Sequence, residues 1–414
     1  RRRPAMPGAS PGGAPALAGL ALCAAILILG WGHTLFQGDV ACPPWASVGA
    51  LAASKCSAPR RRHVFVHITD PQLGMKSMYG PDPADSAAEE EMFAALARKA
   101  AELSPKPRFA FLGGDMQNWW PNEQGIGRNH NNMVPDEELL SLDLGRLQRE
   151  KALAMKKFLE DAGIEVACTA GNHDIGDVAD SETLKTFEAW WGPHYHVVAE
   201  VDGVLYLQLN SQFYWDASTP ELRRRREEQT AWLEGELRKR VSGGTKLLVV
   251  LCHIPPFMSR PDEPAGWSNW KLEDRLRVLG LLAGALKGAG AGAGMLWLCG
   301  HFHASTSAST SFRGVPLAVR VTGAAGTTMQ WGGQASLRPE EAMRVAAKDI
   351  GQAFREDIGM ANVLERMQAA PSRSGFRLFE VFEDGSFRDR WLTLDELTDT
   401  SVTALLQRPE PPER

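Results

Sequence analysis

The chain carries almost no net charge for its size. Lys and Arg number 45 against 50 Asp and Glu, leaving −5 over 414 residues. That balance gives no general reason to expect nucleic acid or an anionic membrane surface as a partner. Internal repeats are absent, which excludes an architecture built by repetition. Cysteine is sparse at 6 residues, too few for a disulfide-dense framework. Cys168, Cys252 and Cys299 each end an apolar run and are expected as buried thiols. Cys42 and Cys56 flank an Ala/Pro/Ser-rich segment; they would pair if that segment is exported and otherwise stay free.

Asp, Glu, Lys and Arg are missing altogether from positions 14–36. About 20 apolar residues suffice to span a bilayer. The preceding Arg1-Arg2-Arg3 predicts that this end stays cytoplasmic, unless Met6 is the initiator and the arginines are lost. The favoured expectation is a single-span membrane anchor. A cleaved signal with 17–29 as its apolar core, giving a secreted or lumenal protein, competes with it. So does an Arg-rich organelle leader whose first acidic residue is Asp39.

The remainder, 44% hydrophobic and 23% charged overall, has globular composition. The segment 37–62 reads as a solvated linker, 63–397 as one large domain with a helical insertion at 338–370, and 398–414 as a polar tail. Within the domain, apolar β-prone runs alternate with helical patterns. Strands are expected at 64–68, 108–112, 164–169, 195–200, 204–210, 246–251, 295–299 and 317–322. Helices are expected after the capping-box pattern Ser86-Ala87-Ala88-Glu89, at 135–162, at 181–191, from Thr219-Pro220 to Arg240, and over 270–287. Asp384-Gly385 predicts a closing hairpin of 375–382 with 387–392. Strands alternating with helices and ending in a hairpin predict a two-sheet α/β sandwich. The arginines 223–226 read as a solvated helix face, and the long loop 119–134 as a surface insertion or a lid.

Five of the strand-like runs end in polar residues of metal-ligand type. They are Thr69-Asp70-Pro71-Gln72, Gly113-Gly114-Asp115-Met116-Gln117-Asn118, Gly171-Asn172-His173-Asp174, Cys252-His253-Ile254-Pro255 and Gly300-His301-Phe302-His303. Strand ends are where α/β proteins place their sites. Carboxylates, amides and imidazoles together suit Zn, Fe or Mn better than Ca. Phosphate-ester hydrolysis needs positive charge on the phosphoryl oxygens, an oriented nucleophile and relief at the leaving oxygen, and two ions held by a bridging carboxylate supply all three. Asp174 reads as a helper or as a cap of the turn that follows. His67, His130, His194 and His196 read as ordinary polar or packed residues.

The order of the five motifs resembles that of the calcineurin-like metallophosphoesterases. The resemblance implies a four-layer sandwich of two mixed β-sheets flanked by helices. Position by position, it assigns one metal to Asp70, Gln72, Asp115 and His303 and a second to Asp115, Asn172, His253 and His301. Asp115 would bridge, a metal-bridging hydroxide would attack, and His173 would act as general acid. Asn118, Asn172 and His173 are the candidate substrate contacts. Purple acid phosphatases differ by a tyrosine at the position of Asn118. Most of the superfamily has Asp-x-His where this chain has Asp70-Pro71-Gln72, and the neutral glutamine implies weaker metal binding or a shift toward Mn or Mg.

Asp-Pro-Gln matches the calcineurin-like phosphoesterase domain-containing protein 1 type, metal-dependent serine/threonine phosphatases. Asn210-Ser211-Gln212-Phe213, Gln229 with Trp232-Leu233, and Leu394-Asp395-Glu396-Leu397 extend the match. The resemblance therefore implies a phosphatase acting on phosphate monoesters in a phosphoprotein. A phosphodiesterase acting on a nucleotide or lipid headgroup is the alternative, as is a non-catalytic scaffold with a decayed site. Trp119-Trp120, Phe213-Tyr214-Trp215 and the loop 255–270 are the candidate pocket walls.

Overall fold

The computed structural model describes residues 59–75, 85–119, 144–176, 178–290, 292–326 and 374–407. The uncharged stretch 14–36, Cys42, Cys56, His130, Trp120 with the loop beyond it, and the 338–370 segment lie outside the described residues. Among the described residues, no helix is long and apolar enough to cross a membrane.

The first strand sets the pattern. In β1 (Arg61–Ile68), Val64, Val66 and Ile68 face one core while Phe65 faces another, as the two-residue period of a strand dictates. The strand expected at 64–68 is thus buried on both faces, and its neighbours extend the sheet. β2 (Phe109–Leu112) and β3 (Glu165–Cys168) run parallel to β1, and β10 (Gly375–Phe382) with β11 (Phe387–Thr393) closes the other side antiparallel. The order of this first sheet is β11-β10-β1-β2-β3.

The second sheet has β4 (His196–Val201), β5 (Val204–Gln208), β6 (Leu247–Leu251), β7 (Gly294–Cys299), β8 (Thr306–Phe312) and β9 (Val315–Val321) in the order β4-β5-β6-β7-β9-β8. Its four central strands are parallel and its two edges antiparallel. Asp202-Gly203 and Arg313-Gly314 turn the edge hairpins with positive φ at both residues, the backbone that two-residue hairpins prefer.

Three cores set a helix–sheet–sheet–helix order. Helices α1 (Ala87–Glu102), α2 (Leu144–Asp161) and α4 (Ser181–Trp191) pack Phe93, Leu96, Leu159, Leu184 and Phe187 with the Val64 face of the first sheet. Helices α6 (Pro220–Arg240) and α7 (Leu272–Ala289) pack Leu233, Leu237, Leu279 and Leu282 with the second. Between the sheets lie Phe65, Phe109, Phe111 and Phe379 against Tyr206, Val249 and Leu296, with the Phe65 and Phe379 rings stacked at 4.5 Å. Each such aromatic buried from water contributes about 2–3 kcal/mol. Short turns α3 (Asn172–Ile175) and α5 (Gln212–Trp215) complete the inner loops.

Three local readings need correction. Ser86 does not form a capping box; its hydroxyl donates to Glu90 at 2.7 Å and accepts from Lys151 at 2.8 Å, tying α1 to α2 instead of capping α1. β8 was not foreseen, because its half-buried face, Thr306, Ala308, Thr310 and Phe312, is only weakly apolar against the serines of the other face, and it pairs only as an edge. The segment expected as a polar tail carries α8 (Val402–Gln407), whose Val402 and Leu405, one turn apart, enter the first core. The arginines 223–226 do lie on a largely solvated face, Arg223 and Arg224 exposed and Arg225 and Arg226 half-buried, with Arg226 also reaching Asp274 on α7 at 3.1 Å.

Candidate metal centre

Every ligand-type residue follows the C-terminal end of a parallel strand. Asp70 follows β1, Asp115 follows β2, Asn172 follows β3, His253 follows β6, and His301 and His303 follow β7. The loops carrying them turn abruptly. Asp70, Gln72, Asp115, His301 and His303 have φ of 53°, 41°, 54°, 72° and 55°. Left-handed backbone costs a non-glycine residue about 1–3 kcal/mol, and it persists where the surroundings over-determine it. Here the surroundings are neighbouring loops. The amides of Asp70 and Gln72 donate to the carbonyls of Gly114 and Asp115 at 3.0 and 2.9 Å, and Ala325 donates to Thr69 at 2.8 Å. Gly171 must be glycine, since a Cβ there would collide with the Asp115 carboxylate.

The side chains converge into two groups that share one carboxylate. Asp115, His253 and His301 form one group; Asp70, Asp115 and His303 form the other. Within each, the candidate ligand atoms lie within 4.8 Å of one another, and all five residues are buried. Asp115 Oδ2 is 3.1 Å from His253 Nε2, Asp70 Oδ1 is 3.4 Å from His303 Nε2, and Asn172 Oδ1 is 3.0 Å from His301 Nδ1. Donor atoms bound to one ion at about 2.0–2.2 Å sit roughly 3.0–3.5 Å apart, so these separations suit shared coordination.

Orphaned atoms point the same way. Gln72 Oε1 is buried without a hydrogen-bond partner, and His253 Nε2, although 3.1 Å from Asp115 Oδ2, makes no hydrogen bond. Buried polar atoms are otherwise almost always paired, and an ion is one of the few things that satisfies several at once. The residues present therefore fit a metal site.

The ligands are oriented by a further set of contacts. His253 Nδ1–H donates to the Gly113 carbonyl at 2.7 Å, which turns Nε2 toward Asp115. The Thr69 hydroxyl donates to Asp70 Oδ2 at 2.6 Å, and the His301 amide donates to the same carboxylate at 3.1 Å. Trp267 lies 4.0 Å from the His301 ring, centroid to centroid, and its carbonyl faces His301 Nε2 at 3.3 Å. Such outer contacts fix the tautomer and angle of metal-binding imidazoles.

As protein groups alone, the two carboxylates move in opposite directions. Burial is the largest influence on both and raises both. Asp70 stays raised, with Asp115 adding to the effect and His253 opposing it. For Asp115 the attraction of His253 and then His173 outweighs burial and holds it well below the usual carboxylate range. Burial would lower His253, but Asp115 and Asp70 raise it to about 10. His301 and His303 are lowered, chiefly by burial, His303 to about 4. Two buried carboxylates thus demand positive charge, which a proton on His253 or a cation can meet.

His173 stands at the rim of this cluster. Its amide donates to Asp115 Oδ1 at 2.8 Å, and its Nδ1–H donates to the Asn118 carbonyl at 2.6 Å. Asp174 caps its own turn, α3, by a capping-box contact with the Gly171 amide, and it reaches beyond that turn as well. It accepts the amides of Asp115 and Gly171 at 2.8 Å and of Met116 at 3.0 Å, binding the second and third motifs to each other. Burial, then Asp115, raise it to about 6 against those amides.

The remaining expectations divide. The 255–270 loop reaches the centre through Trp267, whose carbonyl also accepts Trp215 Nε1–H at 3.0 Å. Phe213 and Tyr214 are core residues and wall nothing, because α5 turns them inward. His67 lies between the sheets against Thr322 at 2.7 Å, and His194 is packed among Phe187 and Phe213. Thr69, Trp267 and Gln148 were missed. Gln148 had a visible signal, a polar residue in the apolar stripe of Leu144 and Ala152.

No family model matches the chain. Over 211 residues, 50% of this chain, it is 33% identical to the Bos taurus protein named serine/threonine-protein phosphatase CPPED1, covering 60% of that relative. The Homo sapiens protein of the same name is 30% identical over 223 residues, 52% of this chain and 63% of the relative. The chain thus spans about 60% of the length of the curated relatives it matches. The solved structure titled "GAP50 the anchor in the inner membrane complex of Plasmodium" is 12% identical with a TM-score of 0.43, over 84% of this chain and 96% of that one.

Proposed function

We propose that the protein is a metal-dependent phosphoesterase that hydrolyses phosphate monoesters, with phosphoserine and phosphothreonine in proteins as its substrate class. One observation carries the reading: two carboxylate–imidazole groups share Asp115, and the His173 amide binds the same carboxylate. The name of the CPPED1 relatives supports the substrate class.

In this reading Asp70, Gln72, Asp115 and His303 hold one ion, and Asp115, Asn172, His253 and His301 hold the other. Bound there, Mn, Fe or Zn, with Mg also compatible, would place positive charge on the phosphoryl oxygens and supply a nucleophile near neutral pH. The protein's own part is positioning and proton transfer. A carbonyl can only accept, so His173 Nδ1 carries a hydrogen for Asn118 and Nε2 is left to deliver a proton to the departing alkoxide. In the same reading Asn118, Asn172 and His173 are the groups that would meet the ester oxygens.

The test is phosphate release from an aryl monophosphate and a phosphoserine peptide, beside a bis-aryl phosphate, after chelator stripping and reloading with single metals. Metal-dependent release from the monoesters is expected, with kcat down about 10²- to 10³-fold in His173→Ala at unchanged metal content. Turnover with no metal, or only of the bis-aryl ester, would overturn the monoesterase reading.

A further inference from the structure

We infer that Gln148, on α2 and outside all five motifs, is a positioning residue for the proton donor His173, acting through the peptide bond between Asn118 and Trp119. The inference rests on the phosphoesterase reading and names a part of that site which no motif contains.

Gln148 is 2% exposed, on the face of α2 that also buries Leu144 and Ala152. A polar side chain in that stripe is costly unless it is paired. Its Oε1 accepts two consecutive amides, Trp119 N–H at 3.0 Å and Asn118 N–H at 3.1 Å. The Trp119 N–H and the Asn118 C=O belong to one peptide unit, which is planar and, when trans, points them in opposite directions. At its far end the Asn118 carbonyl accepts His173 Nδ1–H at 2.6 Å. The order is therefore Gln148 carbonyl, peptide, imidazole. Rotating the peptide would turn the His173 ring, and Gln148 is what holds the peptide on the α2 side. Bonds aligned head to tail also polarise one another, favouring a hydrogen on Nδ1.

Two further contacts hold the surroundings of Gln148. Arg149, next on the helix, donates to Gln117 Oε1 at 3.1 Å, holding the same loop one residue earlier. Gly74 approaches the Gln148 amide so closely that a Cβ there would collide with it, so the loop carrying Gln72 closes over the side chain.

The test separates proton donation from structural support by the leaving group. A phenolate departs with little help, whereas an alkoxide needs the proton. The full chain, loaded with Mn, is assayed on an aryl monophosphate and on phosphoserine. Gln148→Met, which keeps length but removes the carbonyl, should lower kcat on phosphoserine about 10- to 100-fold more than on the aryl ester, with metal content unchanged. Gln148→Glu retains an acceptor oxygen and should restore most of the selectivity. Gln148→Asn withdraws the carbonyl by one methylene and should show the same selective loss if the methionine variant fails to fold. Equal loss on both esters, no loss on either, or loss of metal would overturn the inference. If the unsubstituted protein hydrolyses neither ester with any metal, the phosphoesterase reading falls and this inference with it.

Discussion

The two sheets equip the candidate centre differently. The first sheet brings oxygen ligands and all the negative charge: Asp70, Gln72, Asp115 and Asn172 follow three adjacent parallel strands. The second brings nitrogen and no fixed charge: His253, His301 and His303 follow two adjacent strands. Neither half suffices for the donor set a two-ion site takes, since each group of converging ligands draws from both sheets. The oxygen half is also the more strongly braced, with Asp174 holding three of its amides and Thr69 holding Asp70. The nitrogen half is braced by single carbonyls, Gly113 for His253 and Trp267 for His301. Charge is what needs rigid support, because two buried carboxylates repel unless they are held and neutralised.

Asp115→Asn should break this division most completely, since both groups use it. Loss of both ions and a fall of at least about 10³-fold in turnover are expected, read by elemental analysis and kinetics. Retention of both ions would mean that Asp115 is not shared. The imidazole half should fail one group at a time. His301→Ala should lose the ion of the Asp115–His253 group and keep the other, and His303→Ala should do the reverse; if each variant loses both, the two groups are one cooperative site.

A smaller effect is expected at Gln72. Gln72 Oε1 is buried and unpaired, so Gln72→His should replace a neutral oxygen by an imidazole and tighten Zn binding by about 10-fold in a chelator competition. Weaker binding would place the side chain out of reach of the ion.

The smallest effect concerns an imidazole that is buried for packing alone. His194 Nδ1 accepts from Asn210 at 3.1 Å and Nε2 donates to Leu184 at 3.1 Å, so the neutral ring is fully paired. Burial lowers its pKa from 6.5 to about 4. Between those values the unfolded chain takes up a proton that the folded chain refuses. Stability is therefore complete above about pH 6.5 and declines as pH falls toward 4, by about 1–3 kcal/mol for this residue. Melting temperatures from pH 7 to 4 should show a shallower decline in His194→Gln; an unchanged slope would assign the acid sensitivity to other groups.

Much of this was legible because strands announce themselves locally. Val64 to Ile68, Leu247 to Leu251 and Met295 to Cys299 are largely apolar runs that stop just before polar residues of ligand type. β8 was not legible, because its inner face offers only Ala308 and Phe312 between threonines, too faint a contrast with the serines opposite to read as alternation. Ser86 had the right neighbours for a capping box, yet the lysine it met lies on another helix. Phe213 and Tyr214 were aromatic and near a motif, and nothing local says which way a four-residue turn faces.

By itself, then, the sequence determined the layered α/β class and the identity of the ligand-type residues, since hydrophobic periodicity and residue chemistry are local properties. Tertiary structure decided which ligands meet. His301 reaches Asp70 across 231 positions and His253 reaches Gly113 across 140, distances at which spacing carries no information. It also decided the sharing of Asp115, the turning of Asp174 back onto the second motif, and the placing of Gln148 behind the Asn118 peptide. Those outcomes depend on how loops from two sheets close on one another, with left-handed backbone tolerated only because each loop is held by its neighbours.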